Sequence, residues 1–505
     1  MTFTILNANQ AQAQSLGVSQ FVSVPAPTGG WNTRDSLVLM ESSDAVELEN
    51  FFPGQGYIET RKGYEEFITG LTGQVESLIE FTAGTTNKFL CANDDEINDI
   101  TTGSVVNLGT GFSNARWQYV NFNSYLLAVN GSDTPQVYDG SSLSASTING
   151  SGLVPEELDG INIYRNRVYV WDTESQDVWY GATNAIGGTF TKFQLSRVAP
   201  KGGNLVSMVN WNLDGSTSVS SYALFFMSKG DVLVYEGSDP GSDFALVGTY
   251  KIGAPLSVRG SEKIAGDVIL MTDNDFVFFN KVFKNEGAVT SRSKLSGAIL
   301  TAIQNYKGNF GFEVINYPQG GYLLFNIPLV TNNTYNQYII NTVTGASCKF
   351  TGWNGNTFSL FNSDLYFGGN GAVYKANTGF DDNDSEINCF VRGAYVDFQT
   401  SQEKRVNYFI NTIKSDGETD ITATVNFDYG EREIEEEAIV TRVGSYWDVS
   451  YWDVALWSPE NVIDRTKIYS SGQGTAISMG LRIGIKGQQL KWYRTDYNIT
   501  LTNNI

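Results

Sequence analysis

The fold is decided by a short repeated pattern, seen clearly in Tyr125-Leu-Leu-Ala-Val-Asn-Gly131 followed by Gln136-Val-Tyr-Asp-Gly140. Each copy has an apolar strand, a polar turn and a second strand that ends in an aromatic residue, which predicts an antiparallel hairpin. The other copies lie at Lys88–Asp95, Arg167–Gly181, Tyr222–Gly237, Val268–Asn280, Gly321–Asn341 and Asp364–Lys375. Successive copies begin roughly 35–55 residues apart, about the length of a propeller blade, and therefore predict a β-propeller of six or seven blades.

The rest of the chain is also predicted to be all-β with very little helix. One short helix is expected over Ser293–Tyr306, where apolar residues recur at helical spacing. A run of unrelated β-sandwiches stays open as an alternative to the propeller, because the sequence has no WD, kelch or Asp-box signature. Hairpins in sandwiches recur at shorter intervals than these, which favours the propeller.

Three regions are predicted along the chain. Residues 1–70 form an N-terminal arm and the first strands, which pack with neighbouring molecules or with the C-terminal domain. Residues 71–388 form the propeller with loop insertions, and residues 389–505 form an antiparallel β-domain similar to a sandwich. In that last region the alternation of Ala476–Ile485 and Leu490–Leu501 predicts strands with one buried face.

The composition excludes several classes of enzyme. Histidine is the usual general base and a common metal ligand, and none of the 505 residues is a histidine. Cys91, Cys348 and Cys389 stand far apart without a CxxC pair, so we interpret them as small buried hydrophobic residues. The sequence also lacks a Walker loop, a GxGxxG motif and a GxSxG elbow. We therefore expect no enzymatic activity, no cofactor and no metal.

The net charge of −21, from 54 acidic and 33 basic residues, opposes broad contact with phosphates. Sequence-independent binding of DNA or RNA is therefore not expected. The N-terminus has no basic segment followed by an apolar run, and no window holds the 18 or so apolar residues that a membrane helix needs. These features predict a protein that is made in the cytoplasm and has no membrane-spanning segment.

Acidic and aromatic clusters are the remaining candidates for a site. Asp94–Glu96 and Asp381–Glu386 offer oxygen ligands for calcium but lack the EF-hand frame, so polar loops are the simpler interpretation. Glu431–Glu437, interrupted by Ile434, suits an exposed strand or a solvated loop. The aromatic run Tyr446–Trp457 suits either a platform for carbohydrate or a core or interface segment, and its alternation favours the second.

Motifs at both ends of the chain carry a resemblance to a known family. Near the N-terminus, Gly29-Gly30-Trp31 and Arg34-Asp35 are followed by Asp44–Pro53 and by Gly56–Tyr64, which contains Arg61. Near the C-terminus lie a string of tryptophans and two closing segments, namely Trp447, Trp452, Trp457, Gly472–Gly480 and Leu490–Tyr497. Together they resemble the tail hub or nozzle proteins of short-tailed bacteriophages, which include packaged-DNA stabilisation proteins and nozzle-type tail tubular proteins.

The resemblance implies a structural virion protein of the phage tail, made in the host cytoplasm. Six copies would form a ring below the portal and the adaptor, with the propeller outside and β-layers around the DNA channel. The ring would retain packaged DNA, conduct it at ejection without tight binding, and support tail fibres or spikes. An acidic, lysine-poor lumen suits this function, because affinity for phosphate comes from Lys and Arg.

Candidate contact residues follow from the same motifs. We predict a partner interface that includes Gly29, Gly30, Trp31, Arg34, Arg61, Trp447, Trp452 and Trp457. A local glycine turn is an equally good interpretation of the Gly-Gly-Trp segment, and the two arginines could pair with carboxylates across the contact or within the subunit. The loops at residues 212–218 and 328–335 are candidates for closing the channel by composition.

Two other functions stay open. One is a receptor-binding or carbohydrate-binding tail propeller, with or without a depolymerase activity carried by a pair of carboxylates. The other is a bacterial surface or secreted propeller, against which the N-terminal motifs and the absent signal sequence both argue.

Overall fold

The computed structural model describes residues 19–214, 219–264, 266–284, 294–417, 419–430, 438–440 and 462–502. Strands account for 56% and helices for 4%, so the protein is all-β, as predicted. The chain divides into two compact units, of which the first contains residues up to Thr60 and from Asn388 onward, and the second contains Arg61–Ile387. Within the described ranges no helix has the length and apolar character needed to cross a membrane.

The first unit begins with five strands. They are β1 (Ser19–Pro25), β2 (Gly30–Trp31), β3 (Asp44–Glu49), β4 (Phe51–Pro53) and β5 (Ile58–Thr60). In β1 the side chains alternate between exposed and half-buried, which is the period-2 pattern of a strand with one face on solvent.

The second unit follows with the repeated hairpins and three short helical segments. Its first strands are β6 (Gly63–Ala83), β7 (Thr86–Asn93), β8 (Glu96–Asp99), β9 (Val106–Thr110), β10 (Gln118–Phe122), β11 (Tyr125–Val129), β12 (Gln136–Tyr138), β13 (Leu143–Ala145) and β14 (Asn149–Gly150). A 3-10 turn at Pro155–Glu157 precedes β15 (Gly160–Tyr164), β16 (Arg167–Trp171), β17 (Asp177–Tyr180), β18 (Thr189–Gln194), β19 (Leu205–Asp214), β20 (Val219–Met227), β21 (Asp231–Glu236) and β22 (Ala245–Lys251). The remaining elements are β23 (Ser261–Ile264), β24 (Asp267–Met271), β25 (Phe276–Phe278), α1 (Phe279–Phe283), α2 (Ser296–Tyr306), β26 (Glu313–Tyr317), β27 (Tyr322–Val330), β28 (Thr334–Asn341), β29 (Ser347–Thr351), β30 (Thr357–Phe361), β31 (Asp364–Gly368) and β32 (Asn370–Thr378).

These strands form small antiparallel sheets that succeed one another along the chain, which is the arrangement of a β-propeller. The sheets are β10–β13, β15–β18 with β14 added in parallel, β19–β22 and β23–β25, followed by β26–β29, which are four strands of a larger sheet. A further sheet runs in the order β30-β31-β32-β6-β7-β8-β9. The long strand β6 joins its two halves, because residues 63–74 pair with β32 and residues 75–83 pair with β7. The end of the unit is thereby bonded to its beginning, which closes the series of sheets.

Each sheet packs its apolar face against the next sheet. Trp171 and Phe225 belong to one such cluster between β15–β18 and β19–β22, and Trp117 and Phe81 belong to another between β6–β9 and β10–β13. Large aromatic side chains fill these layers because each one removes much apolar surface from water. All three cysteines are buried and form no disulfide, in agreement with their interpretation as small hydrophobic residues.

The first unit is completed by strands from the C-terminal part. They are β33 (Ile387–Gly393), β34 (Lys404–Ser415), β35 (Asp420–Phe427), β36 (Ala438–Val440), β37 (Val462–Asp464), β38 (Lys467–Tyr469), β39 (Gln473–Gly474), β40 (Ile477–Ile485) and β41 (Leu490–Leu501). Strand β41 pairs with β34 on one side and with both β1 and β5 on the other. Strands from the two ends of the chain therefore share one sheet.

The local predictions hold at every described hairpin. Each predicted pair forms two neighbouring strands of one sheet, and the two predicted C-terminal strands are β40 and β41. Of the helix predicted over Ser293–Tyr306, α2 covers Ser296–Tyr306, and Ser293 lies outside the described residues. One strand ends earlier than predicted, because the chain after Phe278 turns into the short helix α1, which buries Phe279. The predicted boundary after residue 70 falls inside β6, which lies wholly in the second unit.

Candidate functional site

The predicted contact segment Gly29-Gly30-Trp31 forms a tight local structure. Strand β2 pairs in parallel with the start of β3, so that Gly30 lies opposite Asp44. A side chain at Gly29 would collide with the Asp44 carboxylate, and Gly30 has a φ of 85°, which favours glycine. The Trp31 indole is half-buried and donates to the carbonyl of Val46 at 3.1 Å. Both glycines therefore serve the local backbone.

A network of short hydrogen bonds fixes the turn that follows. The buried Asn32 amide donates to Asp35 and Asp44 at 2.9 and 2.7 Å, and its oxygen accepts the backbone N–H groups of Arg34 and Asp35. The Arg34 guanidinium holds Asp35 through two bonds of 2.8 and 2.7 Å. That hydrogen bond raises the pKa of Arg34 above its usual value. The pair lies at the surface, with about a third of each side chain exposed.

The tip of this turn presents two apolar side chains to solvent. Val38 is 68% exposed and Leu39 is 79% exposed, whereas the next residue, Met40, is buried. Exposed apolar side chains grouped on a rigid element often mark contacts with another protein. We call residues 32–40 the N-terminal turn. Val38 and Leu39 were not among the predicted contact residues, because an apolar run such as Leu37-Val-Leu-Met40 usually indicates a buried segment.

The second predicted arginine, Arg61, lies in the interior of the second unit. It is 2% exposed and makes a bidentate pair with Asp382, at 2.8 and 2.6 Å. The same guanidinium donates to the carbonyl of Thr351 at 2.6 Å and lies 5.3 Å from the centre of the Trp353 ring. Arg61 therefore pairs within its own chain and is not accessible to a partner. Its partner Asp382 belongs to the predicted acidic loop at 381–386.

Several sequence-based candidates lie elsewhere. Trp447, Trp452 and Trp457 lie outside the described residues, as does Glu431–Glu437. The loop at 212–218 is described only in part, and the loop at 328–335 is the turn between β27 and β28. In the described part of the chain, His, Cys, Asp and Glu side chains form no group of three or more that could hold a metal ion.

Sequence reasoning missed Arg259 at the middle of the second unit, where the first strands of successive sheets lie side by side. Its guanidinium donates to the Glu76 carbonyl at 3.0 Å and to the Thr357 hydroxyl at 3.1 Å. It also donates to the Ser77 hydroxyl at 2.8 Å and to the Trp117 carbonyl at 2.9 Å. Arg259 comes just before β23, and its hydrogen bonds connect β23 to β6, to β30 and to the start of β10. The planar guanidinium, with several N–H donors, can make all of these bonds at once.

Two carboxylates lie near this arginine. Glu313 is buried and accepts a hydrogen bond from the backbone N–H of Phe358 at 2.9 Å; burial raises its pKa, and the charge of Arg259 opposes that shift. Glu262 lines an adjacent cavity of about 370 Å³, which Gln118 and Ser207 also line. Burial raises the pKa of Glu262 to about 7. Arg259 and Glu313 form their hydrogen bonds with other groups of the protein. We therefore interpret this arrangement as one that holds the sheets together.

Comparisons with known proteins were made by sequence and by structure. The chain matches no family model and no curated protein sequence. Among solved structures it is similar to YCF48 from Cyanidioschyzon merolae, with 10% identity and a TM-score of 0.41 over 62% of this chain and 99% of that one. It is also similar to Raptor from Chaetomium thermophilum, with 10% identity and a TM-score of 0.41 over 63% of this chain and 29% of that one. These values are too low to indicate a function.

Proposed function

We propose that the protein is a structural subunit of a short phage tail, a hub or nozzle protein that forms a six-copy ring below the portal and adaptor. One observation carries this proposal beyond the sequence motifs. The N-terminal strands up to Thr60 and the two closing segments near the C-terminus fold into one unit, with Ser19 opposite Thr500 and Ile58 opposite Trp492, whereas Arg61 belongs to the second unit. Most of the motif residues that the structure describes therefore form one module, as expected if they belong to one part of a ring.

The propeller of this subunit has seven blades in our proposal. Its support is the order in which the first strands of the sheets contact each other. That order is β6, β10, β15, β19, β23, β26 and β30, and the last of these lies against the first. Such a closed series leaves only the short outer edges of the sheets, as in a β-propeller.

The DNA channel of the ring would lie between subunits and not along a propeller axis. The guanidinium of Arg259 crosses the middle of the second unit from β23 to β6, which leaves no bore for a duplex there. A duct for DNA also needs little affinity for phosphate, and the net charge of −21 per copy opposes adhesion. The subunit would act by retaining and conducting DNA, without catalysis.

The N-terminal turn would supply a contact of the ring, either to a neighbouring copy or to the ring above. Val38 and Leu39 gain most from burial there, because their side chains are largely exposed in the single chain. Arg34 belongs to the same turn, with about a third of its side chain exposed, and would face the same partner.

One pair of variants tests this contact. Val38→Asp places a charge on the N-terminal turn, and Val343→Asp makes the same change at a valine of the second unit that is 73% exposed. We expect Val38→Asp to abolish the ring and Val343→Asp to leave it intact, as measured by the mass of the purified assembly. Equal assembly of the two variants would remove the N-terminal turn from the proposal.

A further inference from the structure

A second cavity of about 370 Å³ lies in the second unit and is lined by residues from separate turns. Its amide side chains come from Gln74 in β6, from Asn332 and Asn333 between β27 and β28, from Asn354 before β30, and from Asn370 at the start of β32. The described residues that line it are all uncharged. We call it the amide pocket. Its volume falls in the range of sites for small molecules, about 300–1,000 Å³.

Three of these amides have one end bonded to the protein and the other end without a described partner. The oxygen of Gln74 accepts from Asn356 at 2.8 Å, and the oxygen of Asn354 accepts from the backbone N–H of Tyr335 at 3.3 Å. In both cases the NH2 group has no hydrogen-bond partner among the described residues. The NH2 group of Asn332 donates to Glu76 at 2.9 Å, and the buried Asn332 oxygen has no described partner. The pocket thus offers two oriented NH2 donors, on Gln74 and Asn354, whereas the Asn332 oxygen is shielded from solvent.

Aromatic rings form another part of the lining. Tyr64 and Tyr374 are half-buried and contact each other edge to face, with ring centres 5.1 Å apart. Burial raises the pKa of Tyr64 to about 12, so its hydroxyl stays neutral near pH 7. A tyrosine ring gives a flat apolar surface with a polar group at one end.

The backbone around the pocket is held in place before any ligand binds. Asn370 lies opposite Gln74 in the pairing of β32 with β6, and the register shifts at the next residue, where Gly371 has a φ of 70°. Asn332 also has a positive φ, of 58°, and its backbone N–H donates to the Tyr335 hydroxyl at 3.0 Å. Such bulges and bonds aim the side chains without a loop rearrangement, which lowers the cost of binding.

We propose that the amide pocket binds a neutral sugar residue. Sugar hydroxyls both donate and accept hydrogen bonds, and amides are the uncharged side chains that do both in a fixed geometry. The tyrosine rings can cover the C–H face of the sugar ring. An anionic or cationic ligand would find no opposite charge among the described residues of the lining. This inference goes beyond the proposed tail function and does not depend on ring assembly.

The test uses ligand-observed NMR and calorimetry of the full chain with four probes. The probes are D-glucose, D-galactose, D-mannose and N-acetyl-D-glucosamine at millimolar concentration. The variants Gln74→Glu and Asn354→Asp keep the oxygen that is bonded to the protein and replace the NH2 group that has no described partner. Asn388→Asp makes the same change at an exposed asparagine of the first unit and serves as the control.

We expect at least one probe to bind, and each pocket variant to weaken that binding about tenfold or more, because each variant replaces a hydrogen-bond donor to the ligand with a charged acceptor. The control should bind as the wild type does, and the unfolding temperatures of all variants should agree within a few degrees. Absence of binding by all four probes would overturn the proposal, as would binding that neither pocket variant changes. Equal binding of D-glucuronate and D-glucose would overturn the assignment to a neutral ligand.

Discussion

Arg61 and Arg34 come from one N-terminal sequence motif, yet the structure uses them in opposite ways. Arg61 is enclosed in the second unit, where a carboxylate, backbone carbonyls and an aromatic ring surround it. Arg34 lies on the surface of the first unit and bonds its sequence neighbour Asp35. A charge that is enclosed depends on its partner, whereas a charge on the surface has water as an alternative. The same residue type therefore serves stability in one region and, in our proposal, contact with a partner in the other.

The largest effect is expected at the enclosed arginine. Arg61→Met leaves Asp382 buried without its partner, and we expect the free energy of unfolding to fall by about 3–5 kcal/mol. Arg61→Lys keeps the charge but loses the bidentate geometry. Its free energy of unfolding should therefore lie between that of the wild type and that of Arg61→Met. Denaturant unfolding at neutral pH measures both. A cost under about 1 kcal/mol for Arg61→Met would make the two arginines equivalent and break the comparison.

The second prediction concerns the pH dependence of stability, which should change the free energy of unfolding by about 1–3 kcal/mol through Glu262 near the centre of the second unit. The pKa of Glu262 rises from 4.5 to about 7 on folding, so the folded state holds its proton more tightly than the unfolded state does. Stability from this group is present below about pH 4.5 and is lost as the pH rises through 7. Glu262→Gln mimics the protonated form and should be more stable than the wild type at pH 8 and equal to it at pH 4.

Unfolding of the wild type and the variant across this pH range is the measurement. The variant Glu174→Gln, at an exposed glutamate, controls for the general effect of removing a carboxylate. A stability difference for Glu262→Gln that stays constant between pH 4 and pH 8 would contradict the enclosure of Glu262.

The smallest effect on stability is expected at the surface arginine. Arg34→Met removes a pair whose side chains are about one third exposed, and such pairs contribute about 0.2–1 kcal/mol. The same variant frees the N-terminal turn, so we expect weaker ring assembly at almost unchanged stability. Denaturant unfolding measures the stability of the variant, and the mass of the purified assembly measures its ring formation. If Arg34→Met lost much stability but still assembled normally, Arg34 would serve stability and not contact, which would contradict the comparison with Arg61.

Sequence predicted the hairpins well because they are local. Alternating apolar residues and polar turns within one stretch, as in Tyr125–Tyr138, are enough to indicate two paired strands. The pairing of Ser19 with Thr500 has no local signal, since it joins the two ends of the chain. The division into units therefore needed the structure.

The contact residues show the same limit. Nothing in the residues next to Arg61 indicates that it is buried, because burial depends on Asp382 in the loop before β33 and on Thr351 at the end of β29, which are far away in the sequence. Val38 and Leu39 mislead in the other direction, since an apolar run usually indicates a buried segment. The amide pocket was missed because its side chains come from four separate parts of the sequence, and isolated Asn and Gln residues indicate only turns.

The symmetry of the purified assembly tests the central proposal most directly. Imaging of single particles, of the protein alone and with a portal and an adaptor, gives the number of copies and the width of any pore. We expect a six-fold ring with a pore that admits duplex DNA, about 20 Å or wider given the groove dimensions of B-DNA. A trimer, or a chain that stays monomeric even with the portal and adaptor present, would contradict the proposal that this protein forms a DNA conduit.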